Sequence, residues 1–207
     1  MPPAQDVAEG WAAWLTAVGT LAVAILAIWG DWIRDRVAGP KLELALRNDH
    51  GDLNPRNDGT REIYYHIAVN NRRRWSPASA VRLLVVGLAR RRPDGSYLAE
   101  PLVTPLQLTW AFPTFHELFP TVAVSDTCDF GAVDESSGRF RLSTYIFPNN
   151  FRGFIEGGEA MRVTVVAEAH NGRSEPLVLE VSWDGQWFPD LDEMRRHLVI
   201  RPIDAST

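Results

Sequence analysis

Two patterns of hydrophobic and polar positions divide this chain. From Trp11 to Trp29 no charged side chain occurs, and only Thr16 and Thr20 are polar. A helix of that length, at about 1.5 Å per residue, matches the ~30 Å hydrocarbon layer of a bilayer. The run has no polar face of the kind a soluble core helix shows, and the two threonines can bond back to the preceding turn. From Lys41 onward the pattern changes to alternation with a period of two. "KLELALR" sets Leu42, Leu44 and Leu46 on one face, and "EIYYHIAVN" does the same with Ile63, Tyr65, Ile67 and Val69, as half-buried strands require. "AVRLLVVGLAR" is apolar on both sides and predicts a central strand. "PLQLTW", "TVAVS", "RFRLSTYIF", "AMRVTVVAEA" and "PLVLEVSW" bring the expected total to about eight.

Turn residues separate these runs: Pro93 to Gly95, Ser136 to Gly138, Asn171-Gly172 and Asp184-Gly185. Asn171-Gly172 is the expected tight hairpin between "RVTVVAEA" and "PLVLEVSW", with "HNGRSEP" offering room for a longer loop. The stretch Asn48 to Thr60 is polar and reads as a mobile surface loop. Near the end, "FPDLDEMRRHLVI" predicts a short helix: Asp190 caps, Glu193 holds the capping-box position, and Arg195, Arg196 and His197 meet the negative end of the helix dipole. Leu191, Met194 and Leu198 share the face expected to pack inward.

Short strands with almost no helix between them predict a mainly β fold, an antiparallel immunoglobulin-like sandwich with an N-terminal transmembrane helix and a short C-terminal helix. The expected divisions are a tail over 1–10, the transmembrane helix over 11–33, a junction over 34–40, the sandwich over 41–203 with its helix near 190–199, and a loose tail over 204–207.

The apolar run is flanked by Trp11 and Trp14 at one end and Trp29 and Trp32 at the other, the belt positions of membrane interfaces. No Lys or Arg precedes it, whereas Arg34, Arg36 and Lys41 follow, so the positive-inside bias predicts a single pass with the N-terminus outside and the large domain in the cytoplasm. A cleavable signal would need a basic start and a shorter apolar run. Ala12, Thr16, Thr20 and Ala24, with Gly19 and Ala27 nearby, form a small-residue stripe suited to close helix approach, which makes a homo-oligomer through the helix one expected partnership.

Composition narrows the chemistry. A net charge of −5 over 207 residues does not favour a dedicated nucleic-acid binder. The single cysteine, Cys128, excludes an intramolecular disulfide, and Asp126 and Asp129 beside it are expected to blunt its reactivity. His50, His66, His116, His170 and His197 never fall at metal-ligand spacing, so neither a metal nor a cofactor is expected. Phosphate-loop and nucleophile-elbow motifs are missing too, and the expectation is a protein that is not an enzyme.

Three concentrations of residues remain as candidate contacts. Arg72, Arg73, Arg74 and Trp75 suit lipid headgroups, a protein partner or a nucleotide, against the plainer reading of a solvated loop. Trp183 and Trp187 in "WDGQWF" suit either an aromatic recognition surface or closure of the sandwich. "WAFPTFHELFP", Trp110 to Pro120, suits a core-covering crossover or an exposed apolar patch.

The segment "IAVNNRRRWSPASAVRLLVVGL" resembles the strand-turn-strand of bacterial immunoglobulin-like and CARDB-like sandwiches, with Val69, Asn70, Ala80 and Val81 in the matching places and the arginines Arg72 to Arg74 where a glycine turn is usual. The whole layout is similar to uncharacterised bacterial single-pass membrane proteins with such a C-terminal domain. That resemblance implies a bacterial inner-membrane setting and supplies no activity. The function expected is a membrane-anchored cytosolic module that binds or scaffolds a protein partner at the bilayer. The alternative is a ligand-gated sensor-effector whose transmembrane helices oligomerise and perturb the membrane, as in a bacterial defence system.

Overall fold

The computed structural model describes residues 4–111, 119–149 and 151–203. The chain divides into two compact units, 1–39 and 40–207. The first is α1 (Ala4–Ala38), a continuous helix longer at both ends than the pattern predicted. The flanking Gln, Glu and Arg residues are good helix formers, and Gly39-Pro40 stops it. Its window Ala13–Gly30 has a mean hydropathy of 1.9 with none of it buried, so the helix is long and apolar enough to cross a membrane. Trp11, Trp14 and Trp29 are exposed, as are Thr16, Gly19, Thr20, Ala24 and Ala27. The Thr20 hydroxyl donates to the Thr16 carbonyl at 2.8 Å, which satisfies it without a partner helix. The side chains of Ala12 and Trp32 lie outside those described.

The second unit is mainly β and entirely antiparallel. In chain order its elements are β1 (Leu42–Leu46), β2 (Asp52–Pro55), β3 (Arg61–Asn71), β4 (Arg82–Arg91), β5 (Tyr97–Glu100), β6 (Leu106–Gln107), β7 (Ser125–Asp134), β8 (Arg139–Leu142), β9 (Phe154–Ile155), β10 (Ala160–Ala169), β11 (Gly172–Arg173), β12 (Leu177–Trp183), α2 (Leu191–His197) and β13 (Leu198–Ile203). One sheet runs β1-β3-β7-β8-β9 with β2 also on β3, and the other runs β13-β12-β10-β4-β5 with β11 on β10 and β6 on β4. Their facing sides meet in one core, to which Ile63, Tyr65, Ile67, Phe130 and Phe140 come from the first sheet and Leu83, Val85, Met161, Val163, Leu179 and Val181 from the second. The arrangement is sandwich-like. β4 lies between β10 and β5 within its sheet, sends Leu83, Val85 and Leu88 into the core and keeps Leu84 buried as well.

Two corrections concern connections, one at the edge of each sheet. The expected mobile loop at Asn48 to Thr60 contains β2, which pairs with the same edge of β3 as β1: Leu46 lies opposite Ile67, the Arg47 N–H donates to the His66 carbonyl at 2.9 Å, and Asp52 lies opposite Tyr64. β1 and β2 therefore act as one strand interrupted by a short excursion. Gly51 allows it to close, because at φ +69° a Cβ there would come within 2.6 Å of Ile63 Cγ2 and 2.7 Å of the Tyr64 carbonyl oxygen. The tight turn of the β10–β11 hairpin falls on His170-Asn171, one residue earlier than predicted, with Ala169 opposite Gly172.

Helix α2 forms as its capping residues require: Asp190 Oδ1 accepts from the Glu193 N–H at 2.9 Å, and Met194 and Leu198 are fully buried. Trp183 is buried in the core, its indole N–H donating to the Gly138 carbonyl at 3.2 Å, which leaves it no surface for a partner. Trp187 packs at the core edge beneath the Arg61 guanidinium, 4.8 Å from the ring centroid. Trp110 is also fully buried, while 112–118 of the Trp110 to Pro120 segment lie outside the described residues.

Candidate functional site

The outward side of a sandwich sheet ordinarily carries solvated polar residues. On β3 it does not. Glu62 and His66, which alternate with the core residues Ile63, Tyr65 and Ile67, are only 1% and 7% exposed. Over this face lies a cleft of about 760 Å³, lined by Tyr64 and His66 from β3, Asp52 from β2, Asp129 from β7, Arg141 from β8, and Trp110 and Phe147 from the following connections. That volume suits a small organic molecule.

A β-bulge assembles the cleft. β3 and β7 shift register between Tyr65 and His66, so that Tyr65 lies opposite Gly131 and His66 opposite Asp129, with Phe130 as the extra residue. A bulge re-aims side chains locally. Here Phe130 enters the core while Asp129 stays outside beside the imidazole. Gly131 is required because a Cβ would stand 2.5 Å from the Phe140 ring and 2.6 Å from the Arg141 carbonyl oxygen. The sequence carries a trace of this: in "DTCDFGAVD" the large apolar residues that enter the core are Cys128, Phe130, then Val133, a break in the period of two.

Two carboxylates flank His66. Asp52 Oδ2 lies 3.0 Å from Nε2, and Asp129 Oδ1 lies 2.9 Å from Nδ1. The latter contact is off the line that a hydrogen bond needs. Tyr64 stacks alongside, its ring centroid 6.5 Å from the imidazole with 9° between planes. Its hydroxyl donates to Glu62 Oε2 at 3.0 Å. Burial first, then the charge of Glu62 and the hydrogen bond to it, push the Tyr64 phenol up to about 12.

Beneath the cleft an ionic network holds these groups in place. Glu62 Oε1 accepts from Arg141 Nη2 at 3.1 Å, and Arg56 Nε lies 3.7 Å from its other oxygen. Arg56 Nη1 also donates to Asp134 Oδ2 at 2.7 Å. Hydrogen bonds led by the Ser136 hydroxyl hold the Asp134 carboxyl below its ordinary range despite its burial. Arg141 is thus paired with Glu62, which leaves the carboxylates of Asp52 and Asp129 facing the cleft on either side of the His66 ring. The arrangement suits a ligand with positive charge and a flat apolar body, and opposes a phosphate. Among the described residues no group of three or more His, Cys, Asp or Glu converges as a metal site.

The Arg72 to Trp75 cluster forms a loop at the other end of β3. Asn71, 3% exposed, staples it: Oδ1 accepts from the Lys41 and Arg73 N–H groups at 3.2 and 3.0 Å, and Nδ2 donates to the Ser76 carbonyl at 2.8 Å. The side chain of the neighbouring Asn70, singled out from the sequence, accepts from the Ser125 hydroxyl at 2.9 Å. Arg72 pairs with Glu43 at 2.6 Å, and Trp75 is 76% exposed. The loop after it is tied to the β10–β11 turn: the His170 N–H donates to the Ser79 carbonyl, and Asn171 bonds the Ser79 N–H at 3.3 Å and the Pro77 carbonyl at 3.1 Å. Ala80 takes a φ of +51°, a strained value for a residue with a Cβ.

Cys128 is fully buried. Burial first, then the charges of Asp129 and Asp126, push its thiol well above the ordinary value. The fold and cleft define the molecule as a mainly β, sandwich-like domain preceded by a helix of membrane-spanning length. Compared with protein-family models, curated proteins and solved structures, the chain matches none.

Proposed function

We propose that the chain is a membrane-anchored binding module, held by α1 in the bacterial inner membrane with its N-terminus outside, whose sandwich recognises a small organic cation in the cleft of Tyr64, His66 and Asp129. The observation that carries this is the cleft itself: charged groups are buried on the outer face of β3, where folding alone calls for solvated ones. Anchoring confines the domain to two dimensions and raises its effective concentration toward anything else on that membrane. This favours the ligand-responsive reading, in which occupancy of the cleft is signalled to neighbouring copies.

The test uses the full chain in detergent, followed by thermal unfolding while an aromatic amine or a nucleotide is titrated. Saturable stabilisation by the amine, lost in Asp129→Asn, supports the reading. Stabilisation by nucleotide alone overturns it. A protein-partner reading is favoured by one separate observation: Tyr145, Ile146 and Phe147 are consecutive and exposed, by 39%, 73% and 48%, at the rim of the cleft. Crosslinking in native membranes with Ile146→Asp as the control tests it.

A further inference from the structure

We infer that the loop Arg72 to Trp75 is a docking site for anionic lipid headgroups, which rests on the reading that α1 crosses a bilayer. Trp75 is 76% exposed although indoles are ordinarily among the more buried side chains. Its loop does not gain rigidity by burying the ring, because Asn71 and the Ser76 N–H bond to the Arg73 carbonyl hold the backbone without it. A fixed loop presenting an unburied indole among arginines has the chemistry of a bilayer interface: the ring lies at headgroup depth and the guanidinium groups meet phosphate and carboxylate.

Three further observations favour lipid. The Arg72 N–H donates to the Lys41 carbonyl at 2.9 Å, so the loop is tied to the chain three residues after α1 ends at Ala38. At no more than about 3.6 Å per residue, that covalent link is roughly 11 Å long. Lys41 is exposed and adds a further positive charge. Val124, whose carbonyl accepts from the Asn71 N–H, is 48% exposed and adds an apolar side chain next to the residue that holds the loop. Counting only Arg74 and Lys41, because Arg72 is paired with Glu43, an anionic leaflet favours the docked loop by about 30-fold.

The experiment places the full chain in vesicles of phosphatidylcholine alone or with about one-third phosphatidylserine, a composition chosen to supply a negative surface. An environment-sensitive fluorophore is attached at Trp75→Cys, or at Ser137→Cys in the β7–β8 turn at the opposite end of the sheet. The buried Cys128 is left in place. Flotation with the vesicles is scored first, and its failure overturns the anchor reading together with this one. With the protein floating, the expected result is a blue shift and quenching by lipid-borne nitroxides for the label at 75, in phosphatidylserine vesicles only. It should be lost on changing Arg72, Arg73 and Arg74 to Ala, and absent for the label at 137. An aqueous label at 75 in anionic vesicles, or a shift that survives the triple change, overturns lipid docking while leaving the anchor intact.

Discussion

Replacing Glu62 with glutamine removes one negative charge from a side chain that touches almost no water, while keeping its size. Two guanidinium groups and one phenol lose their common acceptor charge. The magnitude follows from exposure. A solvated ion pair contributes about 0.2–1 kcal/mol, whereas breaking a fully buried one costs about 3–5 kcal/mol. The Glu62–Arg141 pair stands between, because the carboxylate is 2% exposed and the guanidinium 49%. A coupling of about 2 kcal/mol is expected from a double-mutant cycle of Glu62→Gln and Arg141→Gln. The control is Glu193–Arg196, separated by 2.7 Å in α2 but with side chains 38% and 67% exposed, where about 0.3–0.5 kcal/mol is expected. Urea unfolding of the detergent-solubilised chain measures both cycles. In thermal unfolding Glu62→Gln should lower Tm by about 4–8 °C. A second readout is spectroscopic: with the Glu62 charge gone, ultraviolet titration should find the Tyr64 phenol below its native value of about 12, with burial still holding it above an ordinary tyrosine. A coupling no larger than the control would refute the buried-network account, and with it the claim that the floor of the cleft is electrostatically fixed.

Further outcomes follow from single groups. Gly51→Ala should cost about 2–5 kcal/mol in urea unfolding, combining left-handed strain with contact against Ile63 and the Tyr64 carbonyl; Gly59→Ala, also at positive φ but with nothing near its Cβ, should show the strain alone. The Cys128 thiol should resist thiol reagents at pH 8 in the folded chain and react once denaturant is added. His197 is held above its ordinary value first by its hydrogen bond to Asp184, 2.6 Å away. Its stabilisation should therefore be complete below the unfolded value near 6.5 and disappear as pH rises through the folded one. Proteolysis of the α2 region should accelerate over that rise, and Asp184→Asn should remove the dependence.

What the sequence reveals depends on whether the signal is local. The alternation in β3 and the caps of α2 are properties of neighbouring residues and place Ile63, Tyr65, Ile67 and Met194 inside without further information. The apolar run of α1 is legible for the same reason. β2 was hidden because "DLNP" has no apolar alternation; all four residues are exposed, and the strand exists because the edge of β3 beyond β1 was unpaired. The cleft was hidden more deeply. His66, Asp129, Asp52 and Arg141 come from four strands, and only pairing and a bulge bring them together. The basic run was visible by composition, but the residue that shapes its loop, Asn71, looked like one polar residue among several.

The Asn171 contacts also bear on chemical ageing. An asparagine followed by glycine is the dipeptide most prone to cyclise, because an unhindered backbone nitrogen attacks the side-chain amide and ammonia leaves. In this fold the Asn171 amide is held at both ends, by the Ser79 N–H and the Pro77 carbonyl, so it is kept from the geometry that attack by the Gly172 nitrogen requires. Conversion to aspartate or isoaspartate then proceeds only when the β10–β11 turn detaches from the 77–79 segment. The slow gain of negative charge at this position becomes a record of how often that end of the sandwich has opened.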